Sequence, residues 1–172
     1  PYTVPHSRYE IPDTAPYSQE NWTDDEKVHA AMITRLDRDV GKLFQRLKDL
    51  DIDEQTIVFF CSDNGAAERW EKRFDSSGAL RGRKRDMYEG GLRTPMIVRW
   101  PGRVKAGALS DEPVVSMDFY PTFLEVAGLK PDTGKPLDGE SLVSLFQQSG
   151  TPSREAVCFH FPRYAWHRGN RL

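Results

Sequence analysis

Residues 23 to 61 leave little choice of fold class. Thr23-Asp24-Asp25-Glu26 matches a capping box, in which a Thr hydroxyl and a Glu side chain satisfy the amide donors left over at a helix start. From there Val28, Met32, Leu36, Val40, Phe44 and Leu47 fall on one helical stripe, with Ile33, Leu43 and Leu50 widening it, while Asp37, Arg38, Asp39 and Lys42 lie mostly off it. The pattern predicts a helix over 24–50. After a short turn comes Thr56-Ile57-Val58-Phe59-Phe60-Cys61, a continuous run dominated by β-formers that suits a strand buried on both faces. A long helix feeding such a strand points to an α/β sheet.

The flanks are less regular. Residues 1–22 are rich in Pro, Tyr and Ser and read as an extended loop. Residues 62–93 are polar and glycine-bearing, without sustained period, and longer than a simple connection. Thr94 to Trp100 reads as a second buried strand closed by a Pro101-Gly102 turn, and Val114-Val115 as a short strand. Met117 to Ala127 reads as a helix stopped by Gly128, Leu142 to Gln148 as a short helix, and Ala156 to Phe161 as a strand.

Composition narrows the class without naming a partner. The chain has 172 residues, 38% hydrophobic and 29% charged, with a formal net charge of -2, an ordinary globular balance that gives no reason to expect nucleic acid as a partner. No apolar run approaches the ~20 residues that span a bilayer. Pro1 to His6 has neither an initiator Met nor a signal-peptide layout, so the chain reads as beginning inside a longer protein. Cys61 and Cys158 lack zinc-type spacing and read as buried core thiols.

Two stretches could carry chemistry. Ser62-Asp63-Asn64-Gly65 follows the first β-run directly, where open α/β sheets place ligands. Asp and Asn offer the hard oxygens that calcium or magnesium prefers, though the same residues also make ordinary turns. Calcium takes about 6–8 oxygens, so further ligands would come from elsewhere. The stretch from Leu80 to Pro95 gathers Arg81, Arg83, Lys84 and Arg85 with Gly82, Gly90 and Gly91. That is either a solvated basic loop or an anion site approached closely by backbone.

Ordered motifs carry a resemblance that neither stretch carries alone. Pro5-His6, Ser62-Asp63-Asn64-Gly65, Leu80-Arg81-Gly82 with Lys84, Glu89-Gly90-Gly91-Leu92-Arg93-Thr94-Pro95, Arg99-Trp100-Pro101-Gly102, Asp118-Phe119-Tyr120-Pro121-Thr122 and Leu137-Asp138-Gly139 stand in an order similar to that of arylsulfatase-like sulfatases. The chain resembles the middle-to-C-terminal part of that family, within the alkaline phosphatase superfamily. The resemblance implies an α/β fold, part of an alkaline-phosphatase-like sandwich with a mixed sheet flanked by helices. Residues 1–130 would belong to the catalytic domain, and 131–172 would form a linker and the start of a smaller C-terminal region.

The same resemblance implies roles. Asp63 and Asn64 match ligands of a divalent cation, Ca2+ rather than Mg2+. Lys84 matches the lysine that grips a sulfate oxygen, and His6 the histidine that helps protonate the departing alcohol. His160 and His167 lie in a C-terminal segment with Tyr164 and Trp166, where the resemblance would permit contact with substrate. His29 reads as structural or solvent-facing, and Arg81, Glu89 and Arg93 as residues that shape the loop. The family nucleophile is a formylglycine made within a Cys/Ser-x-Pro/Ala-x-Arg motif. Neither cysteine fits that pattern, so the nucleophile and the remaining cation-binding aspartates are expected outside this chain.

The expected activity of the complete protein is therefore hydrolysis of sulfate esters, a sulfated carbohydrate among them, to alcohol and sulfate. The 172-residue chain alone is expected to be inactive and to bind calcium weakly. The alternatives are a phosphoester or phosphonate-ester hydrolase of the same superfamily, and a non-catalytic domain that binds a sulfated glycan. A periplasmic, secreted or lysosomal location is common in the family.

Overall fold

The computed structural model describes residues 9–132 and 134–161. It divides into two compact units, one holding residues up to 56 together with 63–94, the other holding 57–62 together with 95 onward.

The first unit is built on α1, Asp24–Asp49. The capping box is formed: Glu26 N donates to Thr23 Oγ1 at 3.4 Å and Thr23 N donates to Glu26 Oε2 at 2.8 Å. Of the apolar stripe, Met32 is buried beside Ala30 and Ala31, and Val28, Leu36, Val40, Phe44 and Leu47 are half-buried. Ile33, Leu43 and Leu50 are exposed, so the covered face is narrower than the sequence pattern. The segment 62–93, expected to be irregular, carries two short helices, α2 (Glu68–Phe74) and α3 (Glu89–Leu92). Such elements are too short to show a period, and α2 owes its place to one apolar pair four residues apart, Trp70 and Phe74.

Trp70 is buried, with its ring stacked on His29 of α1 at 4.1 Å. Tyr9 packs edge-on against Trp70 at 5.2 Å, and Trp22 against Phe74 at 5.6 Å. Arg69 and Arg73 of α2 pair with Asp25 and Glu26 in the first turn of α1. The cations thus meet the acidic residues that already favour the positive end of the helix dipole.

The second unit holds β1 (Val58–Cys61) and β2 (Met96–Arg99), paired antiparallel with Phe59 opposite Val98 and Phe60 opposite Ile97. The helix α4 (Phe119–Val126) ends before Gly128, whose φ of +67° suits the left-handed stop. A shorter α5 spans Val143–Phe146. Phe59 is the hub, with ring centroids 5.4 Å from Phe119, 5.3 Å from Phe123 and 5.7 Å from Phe146.

Four expectations are corrected in this unit. Both strands were expected to be buried on two faces, yet Phe60 is 44% and Ile97 61% exposed. Phe60 and Ile97 stand opposite one another on the same face, which among the described residues lacks a covering layer. Cys61, the last residue of β1, is exposed, and Cys158 is exposed as well; neither is a core thiol. Val114-Val115 is not a strand, because Val115 N donates to the Asp118 carboxylate at 2.9 Å and is unavailable to a ladder. Ala156 to Phe161 is irregular, since no described strand pairs with it.

Candidate functional site

In the chain, β1 ends at Cys61 and the Asp63-Asn64-Gly65 turn follows. Asn64 Nδ2 donates to Asp63 Oδ1 at 2.9 Å, which holds the two side chains together. Asp63 is exposed and Asn64 half-buried. Gly65 is buried, and a Cβ there would collide with the Gly90 carbonyl, so only glycine lets the two backbone segments meet. Its amide donates to Gly91 O at 3.1 Å.

That crossing draws the basic loop back to the turn. Lys84 N donates to Ala66 O at 2.8 Å, two residues past Asn64. Gly90 N donates to Arg81 O at 2.8 Å, and a Cβ at Gly90 would strike the Gly82 carbonyl. Arg81 lies over the Tyr88 ring at 3.8 Å and donates to its hydroxyl at 2.8 Å. Arg93 N donates to Glu89 O at 2.7 Å, with the two side chains 3.8 Å apart. Arg81 is thus tied to Tyr88 within the loop, whereas Glu89 and Arg93 meet through a backbone bond and an exposed side-chain pair.

The donor chemistry of Asp63 and Asn64 fits a hard cation, but it provides only part of a shell of about 6–8 oxygens. Among the described residues no group of three or more His, Cys, Asp or Glu side chains is arranged to hold a metal. Of the other expected site residues, His6 and His167 lie outside the described residues, and His160 is exposed in the irregular segment of the second unit.

Residues 3–129 match the Sulfatase family profile. The chain belongs to the Sulfatase family. Among the relatives of this sulfatase-family chain is the steryl-sulfatase of Mus musculus, 32% identical over 150 residues, covering 81% of this chain and 24% of that protein. The N-acetylgalactosamine-6-sulfatase of the same species is 39% identical over 141 residues, covering 81% of this chain and 26% of its own length. The chain thus spans about a quarter of the curated relatives it matches. The crystal structure of Ps i-CgsB in complex with k-i-k-neocarrahexaose superposes with a TM-score of 0.76 at 32% identity, over 90% of this chain and 34% of that one. The fold is accordingly the α/β, alkaline-phosphatase-like architecture of sulfatases.

Sulfatase motifs that have no evident chemistry turn out to be structural in the second unit. Asp118 is fully buried, and its carboxylate accepts from Arg154 Nη2 at 2.7 Å, Val115 N at 2.9 Å and Glu140 N at 3.0 Å. Burial pushes its pKa up, but the Arg154 guanidinium and the two amides outweigh that and hold the carboxyl below the ordinary value. Thr122 Oγ1 donates to Asp118 O at 2.6 Å and accepts from Leu142 N at 2.9 Å. Gly139 lies against the Met117 carbonyl, which a Cβ would strike.

Sequence reasoning missed Arg83 as anything beyond a member of the basic run. Its guanidinium donates to Glu71 Oε2 at 2.8 Å and Glu68 Oε1 at 2.7 Å. The available signal was Glu68 and Glu71, three residues apart, a spacing that puts two carboxylates on one helix face.

Proposed function

We propose that this chain supplies the cation-binding turn and the sulfate-gripping loop of an enzyme that hydrolyses sulfate esters to an alcohol and sulfate. The observation that carries the reading is the 2.8 Å bond from Lys84 N to Ala66 O. It ties the basic loop to the turn that bears Asp63 and Asn64. Family membership supplies the reaction class.

The roles follow from charge. A sulfuryl group entering transfer gains negative charge on its oxygens, and a lysine point charge stabilises that charge. Lys84 takes that role. Asp63 and Asn64 would hold a divalent cation, Ca2+ by donor hardness, which when bound acts as a Lewis acid toward a sulfuryl oxygen. His6, with an imidazole able to titrate near neutral pH, would give its proton to the departing alcohol oxygen. The attacking oxygen, from a formylglycine by the family pattern, comes from outside this chain. The substrate class proposed is a sulfated carbohydrate, supported by one relative named for N-acetylgalactosamine and by a structural neighbour solved with neocarrahexaose. His160 is proposed as a contact to that sugar.

The test is an assay of the protein at its full encoded length against aryl, steryl and sugar sulfate esters. Release of sulfate that falls at least about a hundredfold in Lys84→Ala, the scale of losing a principal charge stabiliser, supports the reading. Turnover unchanged by Lys84→Ala removes the loop from the chemistry, and faster hydrolysis of a phosphonate monoester than of any sulfate ester replaces the substrate class.

A further inference from the structure

A lysine ammonium sits at the end of a flexible four-carbon stem, so what fixes its reach is the backbone beneath it. Around Lys84 that backbone is held from several sides. Arg83 N donates to Asp86 Oδ2 at 3.0 Å, and Asp86 N returns to Arg83 O at 2.8 Å. Arg85 has a φ of +87°, a left-handed conformation that a non-glycine residue keeps only where its surroundings impose it. Behind the loop, Gly91 passes so close that a Cβ would strike the Asp86 and Arg83 carbonyls.

The longest reach among these restraints is the side chain of Arg83. It leaves the tight turn and spans two carboxylates, Glu68 and Glu71, one turn apart on α2. The Glu71 half of the pairing is partly buried, with the Arg83 side chain 32% and Glu71 31% exposed, and is screened less than a surface pair, whereas Glu68 is 52% exposed and contributes less. Its anchor is firm, because α2 is seated by the buried Trp70 against His29. A lysine at 83 could not bridge both carboxylates with a planar fork.

We propose that Arg83 is a positioning residue for Lys84: clamped by Glu68 and Glu71 of α2, it fixes the backbone from which the Lys84 ammonium meets a sulfate oxygen. This rests on the reading of Lys84 given above. Arg83 itself touches no substrate in this scheme; its two guanidinium edges are turned to α2.

The test is a double-mutant cycle read by titration calorimetry of inorganic sulfate, the product common to every sulfate ester, into the full-length protein. Arg83→Ala should weaken sulfate binding about tenfold, and in the Lys84→Ala background it should cost less than about twofold further, because its effect passes through the lysine. Losses that multiply would reduce Arg83 to a general stabiliser and overturn the proposal. Weak binding in Lys84→Ala beside wild-type binding in Arg83→Ala would overturn it while leaving the Lys84 reading intact. Sulfate binding untouched by Lys84→Ala would sink both together. Should Arg83→Ala fail to fold, Glu71→Gln keeps the shape, removes one partner charge, and runs the same cycle with an expected loss of about threefold.

Discussion

His29 shows how one side chain can set a pH limit on stability. Its ring is stacked on Trp70 and tilted against Phe74, and Nδ1 is buried with no hydrogen-bond partner among the described residues. Burial, and secondarily the positive Arg69, push its pKa down. Arg69 acts on it from α2 and is paired to Asp25 of its own helix, and Arg73 is paired to Glu26 of that helix. A folded-state pKa below the unfolded value means that the unfolded chain binds more protons. The stabilisation is complete above about pH 6.5 and is lost as pH falls toward the depressed value. The melting temperature should therefore fall between pH 7.5 and 5.5, and His29→Phe should flatten that slope. A slope identical in wild type and variant would mean that His29 is not the titrating group. Asp118, Glu140 and Glu26 also have lowered pKa values. Their stabilisation is lost only as pH drops below the ordinary carboxylate range, so the two windows separate.

Asp118 makes the complementary case. Its carboxylate is buried and anchors Arg154, while Glu140 accepts from Ser153 N at 2.7 Å and Arg154 N at 2.9 Å. Arg154→Ala leaves that buried carboxylate with backbone donors alone and should cost roughly 3 kcal/mol in urea unfolding, the usual cost of breaking a buried pair. A loss below about 1 kcal/mol would class the pair with exposed ion pairs.

Short elements in the first unit depend on glycine contacts more than on propensity. α3 begins Glu89-Gly90-Gly91, a poor helix sequence, yet both glycines are buried because neighbouring carbonyls occupy the space of a Cβ. Gly90→Ala should therefore open residues 80–93 to limited proteolysis while leaving the far-UV signal of α1 in place. Cutting no faster than wild type would show that the loop can shift to accept the methyl. At the start of α1, Thr23→Ala removes a cap already supported by Glu26 and should cost about 1 kcal/mol.

For the whole protein, the cation reading has its own consequence. If Asp63 and Asn64 hold calcium at full length, calcium raises the melting temperature, since a ligand of the native state stabilises by RT ln(1 + [L]/Kd). Asp63→Ala should abolish that rise, whereas the 172-residue chain should show little of it, having few of the oxygens required. No rise at full length would take calcium out of the mechanism. A large rise in the 172-residue chain would show a more complete site than Asp63 and Asn64 provide.

The long capped helix, the two β-runs, the α4 stop at Gly128 and the ordered motifs were legible in the sequence, because caps, periodicity and turn residues act over a few neighbouring positions. Thr23 needs only Glu26 three residues on, and Gly128 only its own φ. What the sequence could not show depends on partners distant along the chain. Whether Phe60 and Ile97 are covered depends on whether another layer packs on their face of the sheet, and whether Ala156 to Phe161 is a strand depends on an edge to pair with. That Lys84 returns to the Asp63-Asn64 turn rests on Gly65 meeting Gly90 and Gly91. That Arg83 belongs to α2 rather than to solvent rests on two glutamates brought within 2.8 Å by folding. Local stereochemistry and hydrophobic period are written residue by residue, whereas burial and charge pairing exist only once the chain has closed on itself.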